Sequence, residues 1–281
     1  MKLSHHGVHF GVALTNFVVS ALPAAAATLT FDATEPTGAS VVIANPHSFH
    51  TGSGTDFGPV GDRDTFTTAG ATTSRGQSFL MPDNATGTAW DLASVTIRAD
   101  ATAATGSGVA QDFSGGATLR FWLFELAPSN DANSGAQWVA GDGISDGDPL
   151  DGTGVTNVLV NGQTFDATRN FSGEFMHFAT PGLQVNENTA YGLLVSFTPS
   201  TGTTGLRLDQ VRDNVTAPNG ESYLNGAHFQ SNDTANTFGS NGDDMVFYVE
   251  ATAVVPEPAG AALFGLGSLA LLRARRRLAC Q

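Results

Sequence analysis

Four aspartates stand close together in the stretch GDGISDGDPLDGTG, residues 141–154. Calcium binds several carboxylate and carbonyl oxygens from a flexible loop, and a glycine-rich acidic stretch can supply both. The spacing D-x3-D-x-D-x2-D is not that of an EF-hand, and no glutamate closes the loop. The stretch therefore predicts either a structural calcium site or an acidic, solvated loop of turn-forming residues. The candidate ligands are Asp142, Asp146, Asp148 and Asp151.

Two glutamates lie in apolar sequence settings, where a catalytic carboxyl group is a candidate. They are Glu125 in LFELA and Glu174 in GEFMHF. A glycosidase needs two carboxylates across a sugar, but the chain holds so many acids that chance pairs are inevitable. We therefore interpret both residues as strand-end or outward-facing glutamates, and we predict no catalytic residue and no enzymatic activity.

Other catalytic signatures are missing from the sequence. His47 and His50 have a spacing that suits a metal ion only on a helix, and Pro46 argues against a helix there. No G-x-S-x-G, H-E-x-x-H or phosphate-loop motif occurs. A single cysteine, Cys280, leaves no disulfide framework and no cysteine zinc site. Beyond the candidate calcium ion, no cofactor is predicted.

Aromatic side chains are the remaining candidates for ligand contact, because flat rings stack on sugar faces. Trp90 and Trp138 stand near loops rich in Thr, Gly and Asp, where they would serve as exposed platforms or pack at the rim of a core. Trp122 lies in a strongly apolar run and is predicted to be a core residue.

The elements that must position these residues are strands. Between residues 28 and 253 no helical period persists, whereas short β-rich runs recur between clusters of Gly, Asn, Asp, Thr and Pro. About ten or eleven strands predict a single all-β domain, a β-sandwich of jelly-roll type. The candidate strands are Thr28–Phe31, Ser40–Ala44, Gln77–Leu80, Ala93–Ala99, Ala117–Leu126, Gln137–Ala140, Thr156–Val160, Glu174–Phe178, Ala190–Thr198, Gly205–Leu208 and Met245–Ala251.

Two runs are particularly informative. Ala93–Ala99 alternates apolar and polar residues, which predicts a strand buried on one face. LRFWLFEL, residues 119–126, is apolar on both faces and predicts a central strand covered on both sides, or one whose outer face meets a partner. The acidic NGDD at residues 241–244 is interpreted as a turn, with a second and weaker calcium site as the alternative.

The body is strongly acidic. Between Thr28 and Val255 it holds 25 carboxylates and seven arginines, a net charge of −18, and the one lysine of the chain is Lys2. Phosphate backbones require a basic surface, so no nucleic-acid partner is predicted. Such a body also repels anionic lipid.

Residues 1–27 have the three parts of a secretory signal. Lys2 supplies the positive start, a mostly apolar stretch runs from Phe10 to Leu22, and small residues end at Ala27. We predict cleavage by signal peptidase after Ala27, within two residues either way.

The other end, residues 254–281, also has three parts. Pro256-Glu257-Pro258 is followed by a short apolar segment, residues 259–272, and then by a basic end, residues 273–277. The apolar segment is shorter than the roughly 20 residues of a usual span, but arginines can snorkel to extend its reach. The basic end consists of Arg273, Arg275, Arg276 and Arg277.

This tail resembles the PEP-CTERM sorting signal of exported proteins in Gram-negative bacteria. The resemblance implies processing by an exosortase near Pro256-Glu257-Pro258, after a transient stay in the membrane through the apolar helix. It also associates the chain with exopolysaccharide and biofilm. An unprocessed C-terminal anchor is the alternative for the same residues.

Function is therefore expected outside the inner membrane, at the cell surface or in the extracellular layer. We predict a structural or adhesive role in the exopolysaccharide layer. The strand pattern also resembles lectin-like and carbohydrate-module-like sandwiches, so a carbohydrate-binding module with extracellular polysaccharide as its partner is the alternative. A polysaccharide hydrolase is a third reading.

Overall fold

The computed structural model describes residues 26–46, 62–67, 74–85, 87, 89–100, 118–126, 155–166, 171–198, 205–212, 223, 225–226, 228–231 and 243–255. This part of the chain is all-β, as the strand pattern predicts, and contains no helix. Its strands are β1 (Thr28–Asp32), β2 (Val41–Asn45), β3 (Asp62–Thr67), β4 (Ser74–Leu80), β5 (Ala89–Arg98), β6 (Leu119–Leu126), β7 (Val155–Phe165), β8 (Phe175–Asn186), β9 (Ala190–Phe197), β10 (Gly205–Arg212), β11 (His228–Ser231), β12 (Asp243–Met245) and β13 (Phe247–Ala253).

These strands form three antiparallel sheets. The first sheet has the order β1-β8-β5-β13-β2, and the second has the order β11-β4-β9-β6-β7. The third is smaller, with the order β12-β10-β3. Neighbours in each sheet are mostly far apart in sequence, so the architecture depends on long-range pairing.

The two five-stranded sheets pack face to face around one core. Val95 and Ile97 of β5 are fully buried in a hydrophobic cluster that also takes in residues of the second sheet. Phe121 of the second sheet stacks on Phe178 of the first, with ring centroids 4.2 Å apart. Burying a large apolar side chain contributes roughly 1.5–3 kcal/mol, so these rings hold the sheets together. The arrangement is consistent with a β-sandwich.

Strand β6 is buried on both faces, which confirms the prediction of a covered central strand. It lies between β9 and β7. Phe121 and Leu123 enter the core between the sheets, whereas Trp122 and Phe124 form a second buried cluster on the other face. Gly192 on the neighbouring β9 makes room there, because a Cβ at this position would lie 2.5 Å from the Phe124 ring.

The outer face of the first sheet is crossed by the segment Ala33–Ser40, named here the crossing segment. It joins β1 and β2, which occupy opposite edges of that sheet. Glu35 in this segment accepts a hydrogen bond from the hydroxyl of Tyr248 on β13. The alternation predicted for Ala93–Ala99 is correct, but its polar face is covered too: Thr96 is 0 % exposed.

The third sheet continues the first at one end. Strand β12 leads through Val246 into β13, and Val246 N–H donates to the Asp209 carbonyl oxygen of β10 at 2.9 Å. Ala99, just beyond β5, pairs with Leu208 of β10 in an antiparallel bridge.

No helix in the described residues is long and apolar enough to cross a membrane. The predicted C-terminal helix, residues 259–272, lies outside the described residues, as does the signal segment up to residue 25.

Candidate functional site

Several predicted site residues lie outside the described residues. They are the candidate calcium ligands Asp142, Asp146, Asp148 and Asp151, the motif Pro256-Glu257-Pro258, the basic end Arg273, Arg275, Arg276 and Arg277, and His47, His50 and Trp138. Within the described ranges, no group of three or more His, Cys, Asp or Glu side chains is arranged to hold a metal ion.

The two glutamates in apolar settings lie in different sheets. Glu125 is half-buried on β6 of the second sheet, opposite Tyr191 of β9. Glu174 precedes β8 of the first sheet, and its carbonyl oxygen accepts a hydrogen bond from Ala99 N–H at 3.0 Å. The fold therefore gives these two carboxylates separate surroundings.

Aromatic side chains in the described part serve packing. Trp90 is half-buried against the core and donates its indole N–H to the Pro82 carbonyl oxygen at 3.0 Å. Trp122 is a core residue, as predicted, with the Arg120 guanidinium 4.4 Å from its ring centroid. Tyr223 packs edge-on to Phe247, and burial raises the pKa of its hydroxyl to about 12. Neither of the described tryptophans is an exposed platform.

The strongest polar feature is a pair of repeated tripeptides at the junction of the first and third sheets. Arg98-Ala99-Asp100 and Arg207-Leu208-Asp209 both read R-x-D. The antiparallel bridge between Ala99 and Leu208 sets each arginine opposite the aspartate of the other tripeptide. Arg98 pairs with Asp209, and Arg207 Nε lies 3.4 Å from Asp100 Oδ2. We name these four charged side chains the ion-pair ladder.

The ladder is largely withdrawn from water. Asp100 is 0 % and Asp209 1 % exposed. The Arg98 guanidinium lies 5.5 Å from the centroid of the Phe175 ring, and Asp100 N–H donates to the Arg207 carbonyl oxygen at 2.9 Å. Desolvated charges are tolerated only when paired and hydrogen-bonded. The ladder therefore links β5 and the residues after it to β10 of the third sheet.

A neutral side chain ties the second sheet to the same junction. Gln77 on β4 donates to Asp244 Oδ1 at 2.6 Å and accepts a hydrogen bond from Met245 N–H at 2.8 Å. The prediction of a turn at residues 241–244 is wrong for its second half, because Asp243 and Asp244 begin β12. Pairing with β10 and the Gln77 amide turn this acidic dipeptide into a strand.

Two further polar side chains are buried nearby. His228 on β11 is 0 % exposed and lies 3.3 Å from the Gln210 amide nitrogen. Arg75 on β4 donates to the Ser74 carbonyl oxygen at 2.9 Å, and burial lowers the pKa of its guanidinium to about 9. Arg75 is still protonated at pH 7, so a further positive charge lies inside the fold.

The outer face of the first sheet brings an imidazole, hydroxyl groups and carboxylates together. His177 Nδ1 lies 2.8 Å from the Thr96 hydroxyl oxygen. Glu250 accepts hydrogen bonds from Ser94 at 2.7 Å and from Ser40 at 3.4 Å. Burial lowers the pKa of His177, while the negative charges of Glu250 and Asp32 oppose that shift. Thr96 is fully buried, so its hydroxyl cannot reach a substrate as a nucleophile must.

The opposite end of the first sheet is where the chain enters and leaves it. Strand β1 runs antiparallel to β13, because each of the three pairings between them is antiparallel. Through those registers Thr28, the first residue of β1, stands level with Glu250, three residues before the end of β13. We name this end the exit pole, and the end with the ion-pair ladder the ladder pole.

No family model matches this chain, and no curated protein matches it. Among solved structures, it is similar to a clostridial cysteine protease after propeptide cleavage, with 11 % identity and a TM-score of 0.36. The similarity covers 68 % of this chain and 38 % of the protease chain, well under two thirds of its length. A likeness at this level carries no argument about activity.

Sequence reasoning missed the ladder. The available signal was the repeated R-x-D tripeptide, placed once at the end of a strand and once inside another. A single strand gives no indication that its charged residues will meet those of a strand more than a hundred residues away.

Proposed function

We propose that this chain is an exported protein, processed at both ends, whose body has a structural or adhesive role in the extracellular polysaccharide layer. Its C-terminal tail would be the substrate of an exosortase and its N-terminal segment that of signal peptidase. The body would have no enzymatic activity of its own. The membrane would be contacted through the C-terminal apolar segment, before processing.

The observation that supports this proposal most is the shared exit pole. The N-terminal segment joins β1 and the C-terminal tail joins β13 at the same end of the first sheet. Three strand spacings separate the two connections, which is about 14 Å. A body tethered to one membrane through either end would present the same pole to it, so the two processing events need no change in orientation.

The strand order supports a jelly roll. Eight strands fall into the orders β2-β13-β5-β8 and β4-β9-β6-β7, with antiparallel neighbours throughout. From β4 to β9 every connection between consecutive strands crosses from one sheet to the other, except that from β6 to β7, as in two Greek keys. Strands β1 and β11 extend the two edges, and β3, β10 and β12 form the additional sheet.

Surface charge supports a hydrated, repulsive exterior. The four arginine side chains described, Arg75, Arg98, Arg120 and Arg207, are all buried or half-buried. Exposed charges in the same part are carboxylates, namely Asp32, Asp83, Asp91 and Asp166. Such a surface keeps a secreted body soluble and away from anionic lipid once its tail is removed.

The sorting proposal is tested by replacing the motif in the native host. In the triple variant Pro256→Ala, Glu257→Ala, Pro258→Ala, we expect a full-length protein retained in the membrane fraction. Thr252→Ala, which changes an exposed residue of β13 close to the motif, should mature normally. Normal maturation of the triple variant would overturn exosortase processing.

The role of the body is tested separately, with a glycan array and tryptophan-fluorescence titration of the mature protein. A structural role predicts no specific glycan affinity. Specific binding of one polysaccharide would instead assign a carbohydrate-binding module, and turnover of that polysaccharide would assign a hydrolase.

A further inference from the structure

Ala27 belongs to the folded body. Its side chain is 4 % exposed and lies in the hydrophobic core. Ala27 N–H donates to Gln163 Oε1 at 2.8 Å, and the Gln163 amide nitrogen donates back to the Ala27 carbonyl oxygen. Gln163 is on β7, the edge strand of the second sheet, and Ala27 precedes β1, the edge strand of the first. This reciprocal pair closes one flank between the sheets.

The sequence offers signal peptidase two equivalent positions. The enzyme requires small residues at the first and third positions before the cut. A cut after Ala26 uses Ala24 and Ala26, whereas a cut after Ala27 uses Ala25 and Ala27. Residue type alone does not separate these two positions.

The structure does separate them. A cut after Ala27 would remove a core side chain and leave the half-buried Gln163 amide without either backbone partner. A cut after Ala26 removes an exposed residue, and the new amino group of Ala27 still donates to Gln163. We infer that signal peptidase cleaves between Ala26 and Ala27, and that the mature chain begins at Ala27, held by Gln163. This inference rests on the proposed export.

Two matched variants of the full chain test the position in the native host, with the N-terminal peptide read by mass spectrometry. Ala26→Leu blocks the inferred cut and should move the mature N-terminus. Ala25→Leu blocks the alternative cut and should leave the N-terminus at Ala27. A mature chain beginning at Thr28, moved by Ala25→Leu and not by Ala26→Leu, would overturn the inference. A chain that retains Met1 would instead overturn export.

A stability measurement gives a second readout. In mature protein purified from the host, Gln163→Ala should lower the Tm by about 4 °C, since two hydrogen bonds to Ala27 are lost. The neighbouring exposed Thr164→Ala should shift it by less than about 1 °C. Equal effects of the two substitutions would contradict the anchoring of Ala27.

Discussion

The two poles of the sandwich are held together by different chemistry. At the exit pole the contacts mostly involve the backbone, such as Val254 N–H to the Ala89 carbonyl oxygen at 3.0 Å and Asn84 N–H to Glu187 Oε2 at 2.8 Å. At the ladder pole, two arginines and two aspartates pair across strands, out of water. Neutral hydrogen bonds contribute about 1 kcal/mol each and can be lost one at a time. In a buried ion pair each charge depends on its partner, because removing one leaves the other uncompensated and out of water.

This difference matches the proposed processing. In the described residues, the pole that carries both tethers is held mainly by backbone hydrogen bonds, so we expect it to tolerate trimming. The pole that carries no tether is joined by the ion-pair ladder. Substitutions at the ladder pole should therefore cost far more stability than those at the exit pole.

The largest effect is expected for Asp209→Ala. The substitution replaces the Asp209 carboxylate, which pairs with the Arg98 guanidinium, by an apolar methyl group. The free energy of unfolding should therefore fall by about 3–5 kcal/mol. Urea unfolding of the mature protein measures the change. Asp91→Ala, at an exposed carboxylate of β5, is the control and should lie within about 0.5 kcal/mol of the parent.

A double variant of Arg98 and Asp209 distinguishes the loss of charge pairing from the loss of packing at this site. The double variant Arg98→Met, Asp209→Leu should recover most of the stability, because an apolar pair of similar volume needs no desolvated charge. If the double variant is as unstable as Asp209→Ala, packing at this site matters more than charge pairing, and the contrast between the poles weakens.

At the exit pole the largest effect should come from Gly87→Ala. A Cβ at Gly87 would lie 2.2 Å from the Val254 carbonyl oxygen, so the last residues of the body must move. Overpacking of this kind costs about 1–3 kcal/mol. Urea unfolding measures it, with Ala253→Gly as a comparison at the partly exposed strand end. A loss as large as that of Asp209→Ala would contradict the proposed tolerance of this pole.

Trp90→Phe should have a smaller effect. The ring keeps its place against the core, but the hydrogen bond to the Pro82 carbonyl oxygen is lost, at a cost of about 1 kcal/mol. A decrease of more than about 3 kcal/mol in the free energy of unfolding would show that the stability of the exit pole also depends strongly on one contact.

The smallest expected effect is a pH dependence of stability caused by His177, which lies on the outer face of the first sheet between the two poles. Burial lowers the pKa of His177 below the ordinary value of about 6.5, so the unfolded chain binds a proton first as the pH falls. Stability should therefore decrease as the pH falls through 6.5 and stop decreasing below the lowered pKa. His177→Gln should remove this slope from urea midpoints measured between pH 8 and 5. An unchanged slope in that variant would assign it to another group.

Periodicity made the core predictable and left the polar junctions unpredictable. Val95 and Ile97 were assigned to the buried face from alternation alone, and Trp122 to a strand covered on both sides. Strands β3 (DRDTFT) and β12 (DDM) escaped prediction because charged residues dominate their sequences, and β11 (HFQS) because it is only four residues long. Asp244 is an example: in isolation NGDD favours a turn, whereas the Gln77 amide and pairing with β10 favour a strand.

The proposed processing removes both ends of this chain and leaves the sandwich intact. Intact-mass spectrometry of the protein harvested from its native host tests it most directly. We expect one species that begins at Ala27 and ends near Pro256-Glu257-Pro258, with β1 and β13 complete. A mass that still includes Gln281 would contradict it.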